Sequence, residues 1–99
     1  MKYFYRAHNT PETILGFART WFTGRGFTAE PGTSGRARYG EPTLGTVDVQ
    51  VETEGGGHYT RVTVTTRNLG ESEVDRVAKR FLAELHKLDE PEHVVRGAY

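Results

Sequence analysis

Histidine is the residue type in this chain best suited to binding a metal ion or to general acid–base catalysis, and it occurs four times. The spacing of these histidines matches no metal-ligand motif, and the chain contains no His-Glu-x-x-His segment. The chain also has no cysteine, which excludes a thiolate zinc site, a disulfide and a cysteine nucleophile. We therefore predict no metal site and expect surface histidines at His8, His58, His86 and His93. One acid–base pair stays open, formed by His8 and Glu12 at the start of the first predicted helix.

Serine and glycine offer little for nucleophilic catalysis or phosphate binding. Ser34 lies in Gly32-Thr33-Ser34-Gly35-Arg36, which has arginine where a G-x-S-x-G nucleophile elbow has its last glycine. The other serine, Ser72, is placed to cap a helix. Gly55-Gly56-Gly57 is not followed directly by a lysine or by a helix, as a phosphate-binding loop would be. These glycines are therefore predicted to form a turn. The sequence thus predicts no catalytic residue and no cofactor.

Arginine has more to contribute to binding than any other charged residue here. The formal net charge is zero, which argues against a uniformly basic surface for polyanions. The charges are uneven, because residues 1–46 carry three more basic than acidic groups and residues 47–99 carry three fewer. Arginines gathered at one rim of a loop could bind a phosphate or a carboxylate through paired N–H donors. The candidates for such an anion site are Arg19, Arg25, Arg36 and Arg38.

Aromatic residues are the other candidates for a binding surface. Tyr3, Tyr5 and Tyr39 lie in predicted strands, and they mark an interface or a shallow groove if two of them point away from the helices. The alternative is a ligand pocket between the sheet and the long second helix. Its predicted lining is Trp21, Phe81 and Tyr39, with polarity from His8 or Arg38.

The first half of the chain predicts a strand, a helix and two short strands. Tyr3-Phe4-Tyr5-Arg6-Ala7 is typical of a strand. A helix then starts with either Thr10 or Asn9 as its cap, carries an apolar stripe from Ile14 to Phe22, and ends at Gly24 or Gly26. Residues 27–43 predict two short strands joined by a turn.

The second half predicts a hairpin followed by a long helix. Val47, Val49 and Val51 alternate with polar residues, and so do Val62 and Val64 after the three glycines. A Gly56-Gly57 turn sets a register that pairs Val51 with Val62 and Glu52 with Arg61. The helix begins after Ser72, with Asp75 three residues on, and ends before Pro91. The tail, residues 91–99, is either an edge strand or loose.

These elements predict a single domain, residues 1–99, of the α+β class. The order β-α-β-β-β-β-α gives a two-layer sandwich with an antiparallel sheet and both helices on its valine face. If residues 27–43 are a loop and the tail is a strand, the order becomes the ferredoxin-like β-α-β-β-α-β instead. Both interpretations leave one face of the sheet open.

Two known folds show a similar order of elements. The whole chain resembles the β-α-β4-α unit of TATA-binding-protein-like folds. The stretch from Gly45 to Leu88, with Tyr59-Thr60-Arg61-Val62-Thr63-Val64 before the long helix, also resembles the end of helix-grip domains of the START and polyketide-cyclase-like type. The helix-grip resemblance implies a carrier of a lipophilic ligand or an enzyme.

The charges predicted for the open face of the sheet argue against nucleic acid as a partner. Its predicted side chains include three acids and only two arginines, which is the wrong balance for a phosphate backbone, so nucleic acid is disfavoured as a partner. They are Asp48, Gln50, Glu52, Glu54, Arg61, Thr63, Thr65 and Arg67.

The first hypothesis for function is a small domain that acts by binding, as a homodimer or with another protein. Its candidate residues are Tyr3, Tyr5, Trp21, Arg36, Arg38 and Tyr39. The alternatives are a small-ligand carrier or enzyme, and anion or nucleic-acid recognition through the four arginines named above. No apolar run is long enough to span a membrane and no signal-peptide core follows Met1, so we expect a cytoplasmic protein without a membrane partner.

Overall fold

The order of elements in the computed structural model is the predicted one, β1-α1-β2-β3-β4-β5-α2. The model describes residues 2–30, 32, 34–67 and 72–89. The strands are β1 (Lys2–Ala7), β2 (Thr28–Glu30), β3 (Arg36–Glu41), β4 (Gly45–Glu54) and β5 (Tyr59–Thr66). The helices are α1 (Pro11–Thr23) and α2 (Glu73–Asp89).

The five strands form one antiparallel sheet in the order β1-β5-β4-β3-β2. The α+β prediction is therefore confirmed. The ferredoxin-like alternative is wrong in its loop over residues 27–43, because β2 and β3 both lie there and pair with each other. Its last strand falls in the tail, residues 91–99, which lies outside the described residues.

The hairpin of β4 and β5 has the predicted register. Val51 pairs with Val62 and Glu52 pairs with Arg61. The turn is longer than predicted, because Gly55, Gly56, Gly57 and His58 all lie between the paired residues Glu54 and Tyr59. All three glycines have positive φ, and a Cβ on Gly55 would come within 2.8 Å of the Tyr59 ring. Glycine is thus required at this turn both for its backbone angle and for its lack of a side chain.

The start of α1 follows one of the two predicted caps. The hydroxyl of Thr10 accepts a hydrogen bond from the N–H of Thr13 at 3.3 Å, and Pro11 occupies the first helical position. Proline loses nothing there, because that N–H has no partner within a helix. Gly24 caps the other end of the helix.

The core lies between the valine face of the sheet and both helices, as predicted. Phe22 of α1 is the centre of its aromatic cluster and is fully buried. Its ring centroid lies 4.7 Å from that of Tyr39, 5.0 Å from that of Phe81 and 5.4 Å from that of Phe27. Phe22 contacts both Tyr39 and Phe81, so its ring fills the space between two of the residues predicted to line a ligand pocket.

Asp75 joins the start of α2 to the two strands beneath it. This buried carboxylate accepts hydrogen bonds from the hydroxyls of Thr66 at 2.6 Å, Ser72 at 2.9 Å and Tyr3 at 3.1 Å, and from the N–H of Ser72 at 3.2 Å. Burial favours the neutral acid and raises the pKa of Asp75, but the hydrogen bonds outweigh it and hold the pKa below its ordinary value.

Candidate functional site

The open face of the sheet is more basic than the sequence indicates. The pairings place β1 and β3 side chains on it that the prediction did not include. Five cationic and four anionic side chains occupy its strand positions, in place of the predicted excess of acid. The cations are Lys2, Arg6, Arg36, Arg38 and Arg61, and the anions are Glu30, Asp48, Glu52 and Glu54.

Phe4 is the most exposed large apolar side chain among the described residues, with 60% of its surface accessible. It stands on the open face beside Arg61, whose guanidinium carbon lies 5.7 Å from the Phe4 ring centroid. The Arg6 guanidinium lies the same distance from the ring of Tyr59, which is itself 37% exposed. Phe4, Arg6 and Arg61, together with Tyr5, border a shallow depression of about 280 Å³. We call Phe4, Arg6, Glu54, Tyr59 and Arg61 the Phe4 patch.

Glu54 holds the two arginines of the Phe4 patch in place. Its Oε2 lies 3.1 Å from Arg61 Nη2, and its Oε1 lies 3.6 Å from Arg6 Nε. Oε1 is buried and accepts no hydrogen bond within the described part of the chain. A buried carboxylate oxygen without a hydrogen bond costs free energy, so the patch would gain from a partner that brings a donor.

Tyr3 and Tyr5 do not belong to this open face. Their side chains point toward α2, where the Tyr3 hydroxyl donates to Asp75 and the Tyr5 hydroxyl lies 3.0 Å from His86 Nδ1. Tyr39 also points toward the helices and stacks on Phe22. The condition for a tyrosine-marked interface is therefore not met, and these three tyrosines stabilise the packing of the two layers.

Arg36 and Arg38 lie on the open face and each has a polar partner on β4. Arg38 Nε donates to Asp48 Oδ1 at 2.7 Å, and Arg36 Nη2 donates to Gln50 Oε1 at 2.9 Å. The hydrogen bond to Asp48, with the charge of the same carboxylate, raises the pKa of Arg38. These cross-strand pairs tie the two guanidinium groups to β4.

The four arginines of the predicted anion site do not meet. Arg19 lines a groove of about 520 Å³ between α1 and the β2–β3 edge, which Arg36 and Glu30 also line. Arg25 lies in a different place, with its guanidinium carbon 4.1 Å from the Trp21 ring centroid. Arg38 is bound to Asp48. The predicted four-arginine anion site is therefore not formed, since the Arg36 guanidinium is bound to Gln50 on the open face.

Tyr39 forms the inner wall of that groove. Burial raises the pKa of its phenol, and the nearby charge of Arg19 opposes part of that rise. Tyr39 therefore stays neutral and apolar over the physiological range of pH.

The histidines lie apart. His8 after β1, His58 in the turn between β4 and β5, and His86 on α2 are all exposed, and His93 lies outside the described residues. Within the described part of the chain, no three histidine or acidic side chains are placed to hold a metal ion. His86 Nδ1 lies 3.0 Å from the hydroxyl of Tyr5, which positions its ring against β1.

Comparison with known proteins adds no assignment: no protein-family model and no curated protein matches this chain. The resemblance to TATA-binding-protein-like and helix-grip folds therefore stays a prediction. Neither of the two helices in the described residues is long and apolar enough to cross a membrane.

Proposed function

We propose that this chain is a domain that acts by binding, that its binding surface is the open face of the sheet centred on the Phe4 patch, and that the partner is a second copy of the chain. The observation that carries the proposal is the exposure of Phe4. A phenylalanine more than half exposed in the middle of a strand gains free energy when another surface covers it.

The composition of the Phe4 patch supports protein binding. Aromatic residues and arginine are enriched at the energetic centres of protein interfaces, where the surrounding polar contacts exclude water. Phe4, Tyr59 and their two flanking arginines fit that description. Covering the exposed part of one Phe4 ring contributes about 1–2 kcal/mol, so a two-fold contact that covers both rings contributes twice as much.

The balance of charge on the open face supports a second copy as the partner. In a two-fold dimer, each surface meets itself, so a face of one sign repels its copy. Five cations and four anions spread over neighbouring strands allow cations of one copy to meet anions of the other. Glu52, whose cross-strand partner is Arg61 of the Phe4 patch, is one such anion.

The same charges disfavour a polyanion as the occupant. Arg6 and Arg61 would be the residues to contact phosphates, but both already lie beside the Glu54 carboxylate. A nucleic acid would have to displace or neutralise that carboxylate and three further acids on the face. Protein association needs no such change.

Sedimentation velocity over a range of concentrations tests this proposal. We expect a monomer–dimer equilibrium for the natural sequence and at least a tenfold weaker one for Phe4→Ser, since a central aromatic at an interface contributes about 2 kcal/mol or more. Raising the salt concentration should also weaken the dimer, because charged pairs contribute to it.

Leu88→Ser is the matched control. Among the large apolar side chains on the described helices, Leu88 of α2 is the most exposed, at 40%, and it lies in the layer opposite to Phe4. We expect this variant to dimerise like the natural sequence. A monomer at every concentration up to about 1 mM, the range of the weakest useful affinities, would overturn the homodimer. Loss of the dimer in Leu88→Ser but not in Phe4→Ser would place the interface on the helix layer and overturn the open-face proposal.

A further inference from the structure

A cleft on the helix layer gathers three arginines around the only tryptophan of the chain. It has a volume of about 400 Å³ and lies between the end of α1 and the first turns of α2. Its lining is Trp21, Arg25, Glu73, Arg76, Val77 and Arg80. This cleft is distinct from the Phe4 patch, because the helices cover the other face of the sheet.

The helical spacing places the α2 residues of the cleft on one side of that helix. Arg76 and Arg80 are four residues apart, and Glu73 precedes Arg76 by three, so their side chains leave the helix in neighbouring directions. Arg25 approaches from α1 and is fixed by its stacking on Trp21, at 4.1 Å from the ring centroid. Trp21 is itself held against Phe22 and Phe81. One wall of the cleft is therefore formed by packed aromatic rings with Arg25 over them.

The guanidinium groups of this cleft differ from those on the open face. Arg6, Arg38 and Arg61 each lie within 4 Å of a carboxylate, and Arg36 donates to Gln50. Among the described residues, Arg25, Arg76 and Arg80 form no ion pair and no side-chain hydrogen bond. With Glu73 as the one acidic residue in the lining, the cleft keeps two positive charges in excess.

We infer that this cleft is a binding site for the phosphate group of a small molecule. Each guanidinium offers two parallel N–H donors, which match two oxygens of a phosphate. Several guanidinium groups together favour a phosphate dianion over a carboxylate as the ligand, because the phosphate has more charge and more acceptor oxygens. Val77 and the indole of Trp21 supply an apolar surface beside the charges. The cleft holds only three cations, and the chain as a whole has zero net charge. Such a site suits a compact anion rather than a polymer.

Trp21 makes this site directly measurable, because the whole tryptophan fluorescence of the protein comes from the cleft. We expect titration with inorganic pyrophosphate to change the Trp21 emission saturably, while sodium chloride at the same ionic strength leaves it unchanged. Arg76→Gln and Arg80→Gln should each weaken the binding about tenfold, the loss typical of one charge-assisted contact. Arg25 is kept in all variants because it stacks on the reporter.

Arg19→Gln is the matched control, since Arg19 is also an exposed arginine on α1 but faces the groove at the other edge. It should bind pyrophosphate like the natural sequence. The inference is overturned if no saturable change occurs up to about 20 mM pyrophosphate, a concentration well above that of useful binding. It is equally overturned if Arg19→Gln removes the response and Arg80→Gln does not, because the anion then binds in the groove.

Discussion

Replacing Asp75 by asparagine is expected to lower the free energy of unfolding by about 2–3 kcal/mol at neutral pH, the range for hydrogen bonds to a charged group. The carboxylate accepts four hydrogen bonds, and one of them comes from the buried Thr66 hydroxyl. The amide group of asparagine has a donor where the carboxylate has its second acceptor. It therefore cannot satisfy the N–H and hydroxyl of Ser72 together with the hydroxyls of Tyr3 and Thr66 in their present orientation.

The effect of Asp75→Asn should depend on pH in a direction fixed by the lowered pKa of this group. Because the folded protein holds the pKa of Asp75 below its ordinary value, the charged form contributes stability that is complete above the pKa of an unfolded aspartate, about 3.9. That contribution disappears as the pH falls through the folded pKa. Urea unfolding at several pH values should show the gap between the two proteins narrowing below about pH 4.

Glu73→Gln is the matched control for this prediction. Glu73 lies in the same first turn of α2 but is exposed, so its replacement should cost no more than about 0.5–1 kcal/mol through the helix dipole. A gap between the natural protein and Asp75→Asn that stayed constant through the acid range would show that Asp75 is not the ionised acceptor described here.

Replacing Phe22 by alanine is expected to have the largest effect of any single substitution considered, a loss of about 3–5 kcal/mol. The Phe22 ring contacts four other aromatic rings across both helices and the sheet, Trp21, Phe27, Tyr39 and Phe81. Its removal leaves a cavity between elements that are too rigid to close on it. A domain of this size has a total stability of about 5–15 kcal/mol, so Phe22→Ala will remove a substantial part of it.

Two further variants keep the Phe22 prediction measurable. Phe22→Leu retains most of the volume and should stay folded with a loss of about 1–2 kcal/mol, measured by thermal unfolding. Phe4→Ala removes the same ring from the exposed position and should change the stability of the monomer by less than about 0.5 kcal/mol. If the two alanine variants were equally stable at low protein concentration, Phe22 would not be the centre of the core.

The parts of the fold that could be predicted are those in which one local pattern decides the structure. Val47, Val49 and Val51 alternate with polar residues, so burial of one face sets both the strand and its register with β5. Thr10 followed by Pro11 marks the start of α1 in the same local way. For these segments the sequence and the structure agree residue by residue.

The direction of the β1 side chains could not be predicted. Tyr3, Phe4 and Tyr5 are all aromatic, so alternation carries no signal, and the long-range pairing with β5 decides which face each ring occupies. Sequence reasoning therefore predicts Tyr3 and Tyr5 as binding residues and misses Phe4. In β3 a signal was present, because Arg36 and Arg38 alternate with Ala37 and Tyr39, as the structure bears out.

The four arginines of the predicted anion site do not come together, because residues that are close in the sequence can point toward different parts of the fold. Arg19 and Arg25 are both on or just after α1, but six residues along a helix and its cap turn them toward different neighbours. Arg25 instead meets Arg76 and Arg80 of α2, which are more than fifty positions away. Only the packing of the two helices against each other, which no local pattern encodes, brings these three residues to one cleft.

The central claim is that the open sheet face is the surface that meets a second copy of the chain. Two-dimensional NMR spectra of the labelled protein, recorded over a range of concentrations, test it residue by residue. We expect the signals of Phe4, Gln50, Arg61 and Thr63 to shift together as the concentration rises, while those of Arg19 and Leu88 on the helices stay unchanged. Shifts confined to the helices, or none up to about 1 mM, the weak limit of useful affinity, would contradict it.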